Sequence, residues 1–457
     1  MAEFSEGGKQ SFTEPSNPAN RWIILLSGVA LLASLGSVYA WSFFTRPLQE
    51  AYGWSNFQTG LIFSLAVAGL GFVALYTGPY VSKLGGRHLM KRSAKFFIAG
   101  NFLAAFGLFL GGGVLGPVET PWINWLSYIV LLVGYGVIGG IGLGTGYVTA
   151  VSTVSGWFPD KKGLATGMIV MGFGLGALFM SKVFGPIAMS LASDNLPLVF
   201  FIIAIFYTVI MFIACNFIYS PSGVKSKNHK KTKGEIMEHG LSVRVRLWSV
   251  CFLYSVAGLG IISLLSPLMQ DLQRAANPGM SAAAMAAAGA TLIAWASIGN
   301  SVGRLFWAGL SDYLGRVNTF MLFMGTASLS YLLLPGITSP FLFTLVIIFA
   351  ISTYGGGFGT IPALISDMYG SKRMSAMHGL VLTGWATAGL TAAPIFGLMY
   401  DALPGQAANI AFYICAVSLA LATLMVFTLK GLHKECVQEV EADSAQPILV
   451  EEVVAKA

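Results

Sequence analysis

Apolar residues in this chain arrive in uninterrupted blocks of about 20 or more, the length of helix that crosses the hydrocarbon core of a bilayer. That single feature decides most of what the chain can become. Backbone inside hydrocarbon has no water to bond, so each block must satisfy its own N–H and C=O groups, which a helix does within one segment. Of 457 residues only 10% are charged and 55% are hydrophobic, with a mean hydropathy of +0.73. A soluble chain draws on about 25% charged residues to solvate its surface. Transmembrane barrels need short alternating segments, and these blocks are continuous. The expected fold class is therefore an all-α polytopic membrane protein.

Reading the blocks between charges and Pro/Gly breaks places spans at 22–44, 57–80, 94–114, 125–153, 163–188 and 196–219. A second set follows at 247–269, 283–310, 318–335, 340–365, 376–400 and 408–430. Twelve spans thus fall into two sets of six around the long polar segment Ser220 to Arg246. The chain divides into a tail (1–20), a six-helix half (21–219), a linker (220–246), a second half (247–430) and a C-terminal tail (431–457).

The net charge of +7 and pI near 9.1 do not indicate nucleic acid, because the charges sit in loops. Lys83, Arg87, Lys91, Arg92 and Lys95 lie between spans 2 and 3, Lys161 and Lys162 between 4 and 5. Lys225, Lys227, Lys230, Lys231, Lys233, Arg244 and Arg246 fill the central loop, and Arg316, Lys372 and Arg373 the remaining even loops. The odd loops hold Arg46 and Arg274, apart from Lys182 near the end of span 5. Basic loops stay on the cytoplasmic side, so both termini and the central loop are expected there. The basic loop then reads as a solvated linker and the acidic tail (Glu435, Glu439, Glu441, Asp443, Glu451, Glu452) as disordered. Three of four cysteines (Cys215, Cys251, Cys415) fall inside spans and Cys436 in the tail, so neither a disulfide framework nor a metal site is expected. The first block runs past signal-peptide length and reads as a retained helix.

The halves echo one another. The turn after span 2 reads Gly78-Pro-Tyr-Val-Ser82-Lys83-Leu-Gly85-Gly86-Arg87, and the turn after span 8 reads Gly309-Leu-Ser-Asp312-Tyr-Leu-Gly315-Arg316. Span 4 runs into Trp157-Phe-Pro-Asp160-Lys161-Lys162-Gly163, and span 10 into Met368-Tyr-Gly-Ser-Lys372-Arg373. Parallel six-helix repeats imply a cavity between halves that opens alternately to each side. On these turns the chain resembles the major facilitator superfamily, whose signature after span 2 is Gly-x-x-x-Asp-Arg/Lys-x-Gly-Arg. The first copy carries Ser82 in place of the usual Asp, while the second keeps Asp312. The run from Trp157 to Gly167, the run Gly172-Phe-Gly-Leu-Gly176 and Gly36-Ser-Val-Tyr39-Ala-Trp41-Ser resemble the oxalate/formate antiporter family and its bacterial monocarboxylate carriers. The resemblance covers roughly residues 21–430.

An ionisable side chain at bilayer depth costs about 3 kcal/mol or more and needs a partner or a purpose. Arg304, in span 8, has no Asp or Glu inside any expected span to neutralise it. Asn300 lies one turn earlier on the same face, so amide and guanidinium can converge on one anionic ligand. The resemblance implies that an arginine at this place binds the substrate carboxylate, with a polar or acidic residue four positions before it. It also implies a second cation, a lysine in span 11 of the oxalate carrier, where this chain has Trp385. One cation suits a monoanion such as lactate, pyruvate or formate.

Lys182 stands about 28 Å along span 5 from its start, near the external interface, where its stem can snorkel or draw anions inward. Tyr39, Trp41, Tyr147, Tyr354 and Phe358 lie near glycine-rich stretches and can close a small site. The resemblance places Tyr39 and Tyr147 at the cavity and puts Phe358 where the oxalate carrier has a tyrosine. His378, opening span 11, can titrate during transport or be merely interfacial. The glycine runs at 139–146 and 355–357 follow no strand and precede no Lys-Ser/Thr, so they read as helix packing rather than a phosphate cradle.

The leading expectation is a proton-coupled secondary transporter of small monocarboxylates working by alternating access. It would be a monomer without cofactor or metal, multi-pass in lipid, and by resemblance in the bacterial inner membrane. An oxalate/formate exchanger and a carboxylate sensor remain open as alternatives. No nucleophile, metal cluster or carboxylate pair supports an enzyme, and no ATP-binding domain supports a pump within this chain.

Overall fold

The computed structural model describes residues 21–114, 120–158, 162–219 and 241–445. The N-terminal tail, Asp160, Lys161, the linker from 220 to 240 with its five lysines, and Glu451 and Glu452 lie outside the described residues. So do the side chains of Ser82, Lys83, Lys162, Lys372, Arg373, Glu435, Cys436, Glu439, Glu441 and Asp443.

Among the described residues the chain is helical and strand-free, with twelve helices long and apolar enough to cross a membrane. They are α1 (Arg21–Ala40), α2 (Asn56–Tyr80), α3 (Gly86–Gly112), α4 (Pro121–Gly156), α5 (Ala165–Ala192) and α6 (Leu196–Cys215) in the first half. The second half holds α7 (Leu241–Ile262), α8 (Ala282–Leu314), α9 (Arg316–Gly336), α10 (Pro340–Tyr369), α11 (Met377–Ala402) and α12 (Ala407–His433). Serine and asparagine caps start several of them. Ser55 forms a capping box with Gln58, and Ser281, Asn195 and Ser339 each accept the backbone N–H three residues on. These side chains satisfy donors that the first turn leaves unbonded.

The repeat is written into the backbone. Gly85 stands at φ 80°, ψ 144° before α3, and Gly315 at φ 81°, ψ 148° before α9. Only glycine holds that conformation without strain, so the two echoed loops turn in the same way for the same reason. Each half also breaks after its first helix. Span 1 does not continue to residue 44 as one rod but tightens into a 3₁₀ turn at Ser37–Ala40, followed by a separate helix Ser42–Tyr52. Pro47 lies inside that second helix. After α7 the matching helix is Leu265–Ala276.

Two boundaries differ from the sequence reading. α7 begins at Leu241, inside the expected linker, and Arg246 reaches the Thr428 carbonyl of α12 at 3.2 Å, which accommodates its charge at the helix end. The acidic tail, expected as disordered, continues the last helix to Ala445. Nothing in 431–445 breaks a helix, since proline is absent and the sole glycine is Gly431. Outward faces carry exposed Phe212, Phe341, Leu26 and Trp122, a surface made for lipid rather than water.

Two helix pairs cross between halves and position the site. α2 packs on α11 through glycine, and α5 packs on α8 through hydroxyl groups.

Candidate substrate site

Arg304 is 3% exposed, deep in α8. Its Nη1 donates to the Val170 carbonyl of α5 at 3.2 Å, and its Cζ lies 5.1 Å from the Phe358 ring centroid of α10. Tyr39 of α1 and Tyr147 of α4 lie close enough to the guanidinium to feel its charge. Its Nε is buried without a hydrogen-bond partner. Among the described residues no carboxylate pairs with it; the ion pairs lie elsewhere. The cation is held by a carbonyl and a π face, with two tyrosines near by, groups that solvate a charge without neutralising it.

Aromatic residues from both halves enclose this point. Tyr39 and Tyr147 each meet Phe173 edge-on at 5.3 Å. Tyr354 meets Phe358 at 5.3 Å, and Phe358 meets Trp385 at 5.7 Å. The Trp385 Nε1–H donates to the Tyr354 hydroxyl at 2.8 Å, which lies 3.2 Å from that of Tyr39. Asn300, 1% exposed, stands one turn from Arg304 with its Oδ1 buried and unpartnered. A cavity of about 10 Å³ lies between Tyr39, Gly174, Ser297 and Asn300, space for about one water. A larger cavity of 470 Å³ lies on the outer faces of α3 and α6 among Phe102, Phe106, Phe109 and Phe201, away from every buried charge.

The structure thus gathers Arg304, Asn300, Tyr39, Tyr147, Tyr354, Phe358 and Trp385. It does not bring Trp41, Lys182 or His378 to them. The Trp41 indole donates to the Thr59 carbonyl at 2.8 Å and packs on Tyr135 at 4.5 Å, inside the first half. Tyr39 and Trp41 are two residues apart on a tightened turn, so they leave the helix on different sides. Lys182 bonds Thr291 of α8 at 2.6 Å and is exposed, three turns along α5 from the Val170 carbonyl. His378 is half-buried at the start of α11, about 10 Å along the helix from Trp385.

Sequence reasoning missed Phe173 and the Val170 carbonyl. Phe173 is the one aromatic inside the quoted Gly172-Phe-Gly-Leu-Gly176 run, where flanking glycines let a ring stand against neighbouring helices. A signal was therefore present. Val170 offers none, since any residue has a carbonyl.

Beside the arginine, α8 grips α5 through its backbone. The Ser297 hydroxyl donates to the Gly174 carbonyl at 2.6 Å and accepts the Leu178 N–H at 3.1 Å. It therefore sits between the two ends of a helical i to i+4 hydrogen bond. Such an insertion bends a helix, and a π turn follows at Met180–Phe184. Ser301 adds a bond to the Met171 carbonyl at 3.3 Å.

At the end of the molecule opposite the basic loops, further contacts join the halves. Arg46 meets Asp271 at 2.6 Å, and Arg274 meets the same carboxylate oxygen at 3.2 Å. Burial raises the Asp271 pKa above the usual carboxylate value, with Arg46 and then Arg274 pulling it back. Asp401, at the end of α11, accepts the Asn56 and Phe57 backbone N–H groups, both at 2.9 Å, and so caps α2.

Comparison with known proteins adds the relationships. The family model described as Major Facilitator Superfamily matches residues 26–297 and 275–449. The chain is 24% identical to the oxalate:formate antiporter of Oxalobacter formigenes over 418 residues, 89% of this chain and 92% of that one. It is also 24% identical to apicoplast pyruvate carrier 1 of Toxoplasma gondii over 453 residues, 79% of this chain and 81% of that one. The crystal structure of a D-xylose-proton symporter superposes with a TM-score of 0.70 at 16% identity, covering 89% of this chain and 97% of that one. That likeness concerns the fold.

Proposed function

The chain belongs to the Major Facilitator Superfamily and is a multi-pass membrane transporter, and from that premise we propose that it carries small monocarboxylates by alternating access, coupled to a proton. The observation that carries the reading is Arg304: a buried cation between the halves, contacted among the described residues by neutral groups, with its Nε–H buried and unpartnered. An oxyanion is the group that completes it, and a carboxylate matches its planar fork.

The charge of the ligand follows from what surrounds the arginine. Trp385 contributes no charge, and its N–H is already given to Tyr354. One buried cation balances one negative charge; a dianion would leave one unpaired at several kcal/mol. Aromatic rings on every side favour a ligand of two to four carbons. A pyruvate carrier among the relatives is consistent with this substrate class. The oxalate:formate antiporter among them is the reason to keep anion exchange as the second reading.

Neutralising Arg304 lets the loaded carrier cross between states more readily than the empty one, so exchange outpaces net uptake. A co-transported proton makes net uptake electroneutral, whereas a potential acts on an uncompensated charge by about 2.3 kcal/mol per 100 mV. The test is uptake of radiolabelled lactate and oxalate into proteoliposomes, with pH gradient and potential set independently. Lactate uptake driven by an inward proton gradient and indifferent to potential is expected. Oxalate competing better than lactate at equal concentration and neutral pH overturns the monocarboxylate reading, and uptake driven by potential alone overturns symport. Binding of lactate without any uptake or exchange would make the chain a sensor.

A further inference from the structure

Three buried side chains beside Arg304 form a hydrogen-bonded line that crosses between the halves: Trp385 of α11, Tyr354 of α10 and Tyr39 of α1. The two hydroxyls leave the direction of their shared bond open, since either oxygen can donate. The indole does not. A tryptophan N–H only donates, so at 2.8 Å the Tyr354 oxygen accepts. Accepting a hydrogen bond makes a hydroxyl a better donor. Tyr354 has one proton, and among the described residues its hydroxyl bonds only Trp385 and Tyr39. Its proton therefore goes to the Tyr39 oxygen. That oxygen also feels the charge of the Arg304 guanidinium, and because it accepts from Tyr354 its own proton points away from that hydroxyl.

We propose that Trp385 acts as a positioning residue that fixes this line as Trp385 N–H to Tyr354 O–H to Tyr39 O–H, leaving the Tyr39 proton to be given to the ligand held by Arg304. The site then reads the ligand oxygen as an acceptor. It favours a deprotonated carboxylate over an amide that presents N–H at the same place, by an amount beyond what the arginine's charge supplies. This rests on the carboxylate reading of the site and adds to it the residue that sets its polarity from the opposite half of the molecule.

The line makes an unusual demand on variants. In Trp385→Phe the ring remains but Tyr354 loses its donor, so the Tyr39 proton can turn to the Tyr354 oxygen and leave a lone pair towards the ligand. In the double variant Trp385→Phe, Tyr354→Phe that competing acceptor is gone, and the Tyr39 proton returns to the ligand. The second substitution should repair the first. A packing role for Trp385 predicts the reverse, since removing a second buried group adds damage.

The experiment measures calorimetric Kd values of the purified full chain for lactate and lactamide, with melting temperature and gel-filtration profile as controls of fold. Trp385→Phe should weaken lactate binding roughly tenfold, the worth of one hydrogen bond to a charged group, and lower the lactate-to-lactamide preference by a similar factor. The double variant should recover most of both. An unchanged lactate Kd in Trp385→Phe, or a double variant no better than the single, overturns the proposal while leaving the carboxylate reading intact. A wild-type chain that binds lactate, pyruvate, formate and oxalate not at all overturns both.

Discussion

The two seams that join the halves occupy related places and, away from the Asp401 cap at the end of α2–α11, lean on different contacts. Counting from the start of each half, α2 corresponds to α8 and α5 to α11, so the α2–α11 and α5–α8 contacts are counterparts under the repeat. Along α2–α11 the backbones approach until no side chain fits. A Cβ on Gly71 would stand 2.5 Å from that of Ala386, and one on Gly60 would stand 2.8 Å from the Ala393 carbonyl oxygen. Along α5–α8 the contacts are directed hydrogen bonds from Ser297, Ser301 and Arg304 to α5 carbonyls. Small-residue packing gains from many weak contacts and tolerates no added atom. A hydroxyl on a carbonyl can be exchanged for another partner as helices shift. The arginine sits in the exchangeable seam, where on the proposed reading a ligand oxygen takes over part of what the Val170 carbonyl supplies.

The sharpest way to break that contrast is Arg304→Lys. Charge is kept, but an ammonium cannot make a planar two-point contact, so lactate transport should fall about 100-fold, or about 3 kcal/mol of lost binding in the transport cycle. The chain should still fold. Near-normal substrate affinity in the purified variant would mean that another group anchors the anion.

Gly71→Leu tests the packed seam. The added side chain meets Ala386, and overpacking of this kind costs about 1–3 kcal/mol. Melting temperature should drop, and a cysteine pair placed across α2 and α11 should cross-link more slowly than in the parent. Cross-linking at the parental rate would show that the seam has room to spare.

Ser297→Ala is the matching change in the polar seam and should act more gently. It deletes one bridging hydroxyl, and the Leu178 N–H can rejoin the Gly174 carbonyl directly. The expected shift is about 1 kcal/mol, or roughly fivefold, away from the closed seam. Cysteine accessibility along α5 reads it. If Ser297→Ala proves as damaging as Gly71→Leu, the two seams do not differ in the way the contacts imply.

Much of this was legible in the amino-acid order because charge and hydrocarbon do not mix. The span count follows from where charges are missing, and Arg304 stands out because nothing in the expected spans balances it. Gly85 and Gly315 announce the repeat and do adopt one conformation. Tyr354 and Phe358, four residues apart, share a face of α10 as helical spacing requires. Legibility stopped where an answer depended on rotation about a helix axis or on a partner in the other half. Tyr39 and Trp41 looked equivalent in sequence, yet the turn between them sends one to the arginine and the other to Tyr135. Ser297 read as one small residue among many in α8.

The sequence by itself therefore determined how many helices cross the membrane, that the two halves repeat, and that one cation is buried without an acid. The first and last follow from the cost of placing charge or bare backbone in hydrocarbon, a property of residues taken singly, and the repeat from the echoed glycine turns. Only the tertiary structure decided which aromatic rings surround Arg304, that Phe173 is among them, and that Trp385 spends its N–H on Tyr354. Those outcomes depend on helix rotation and on distances across the two halves, where a shift of one residue turns a side chain by about 100° and carries it from the cavity into packing.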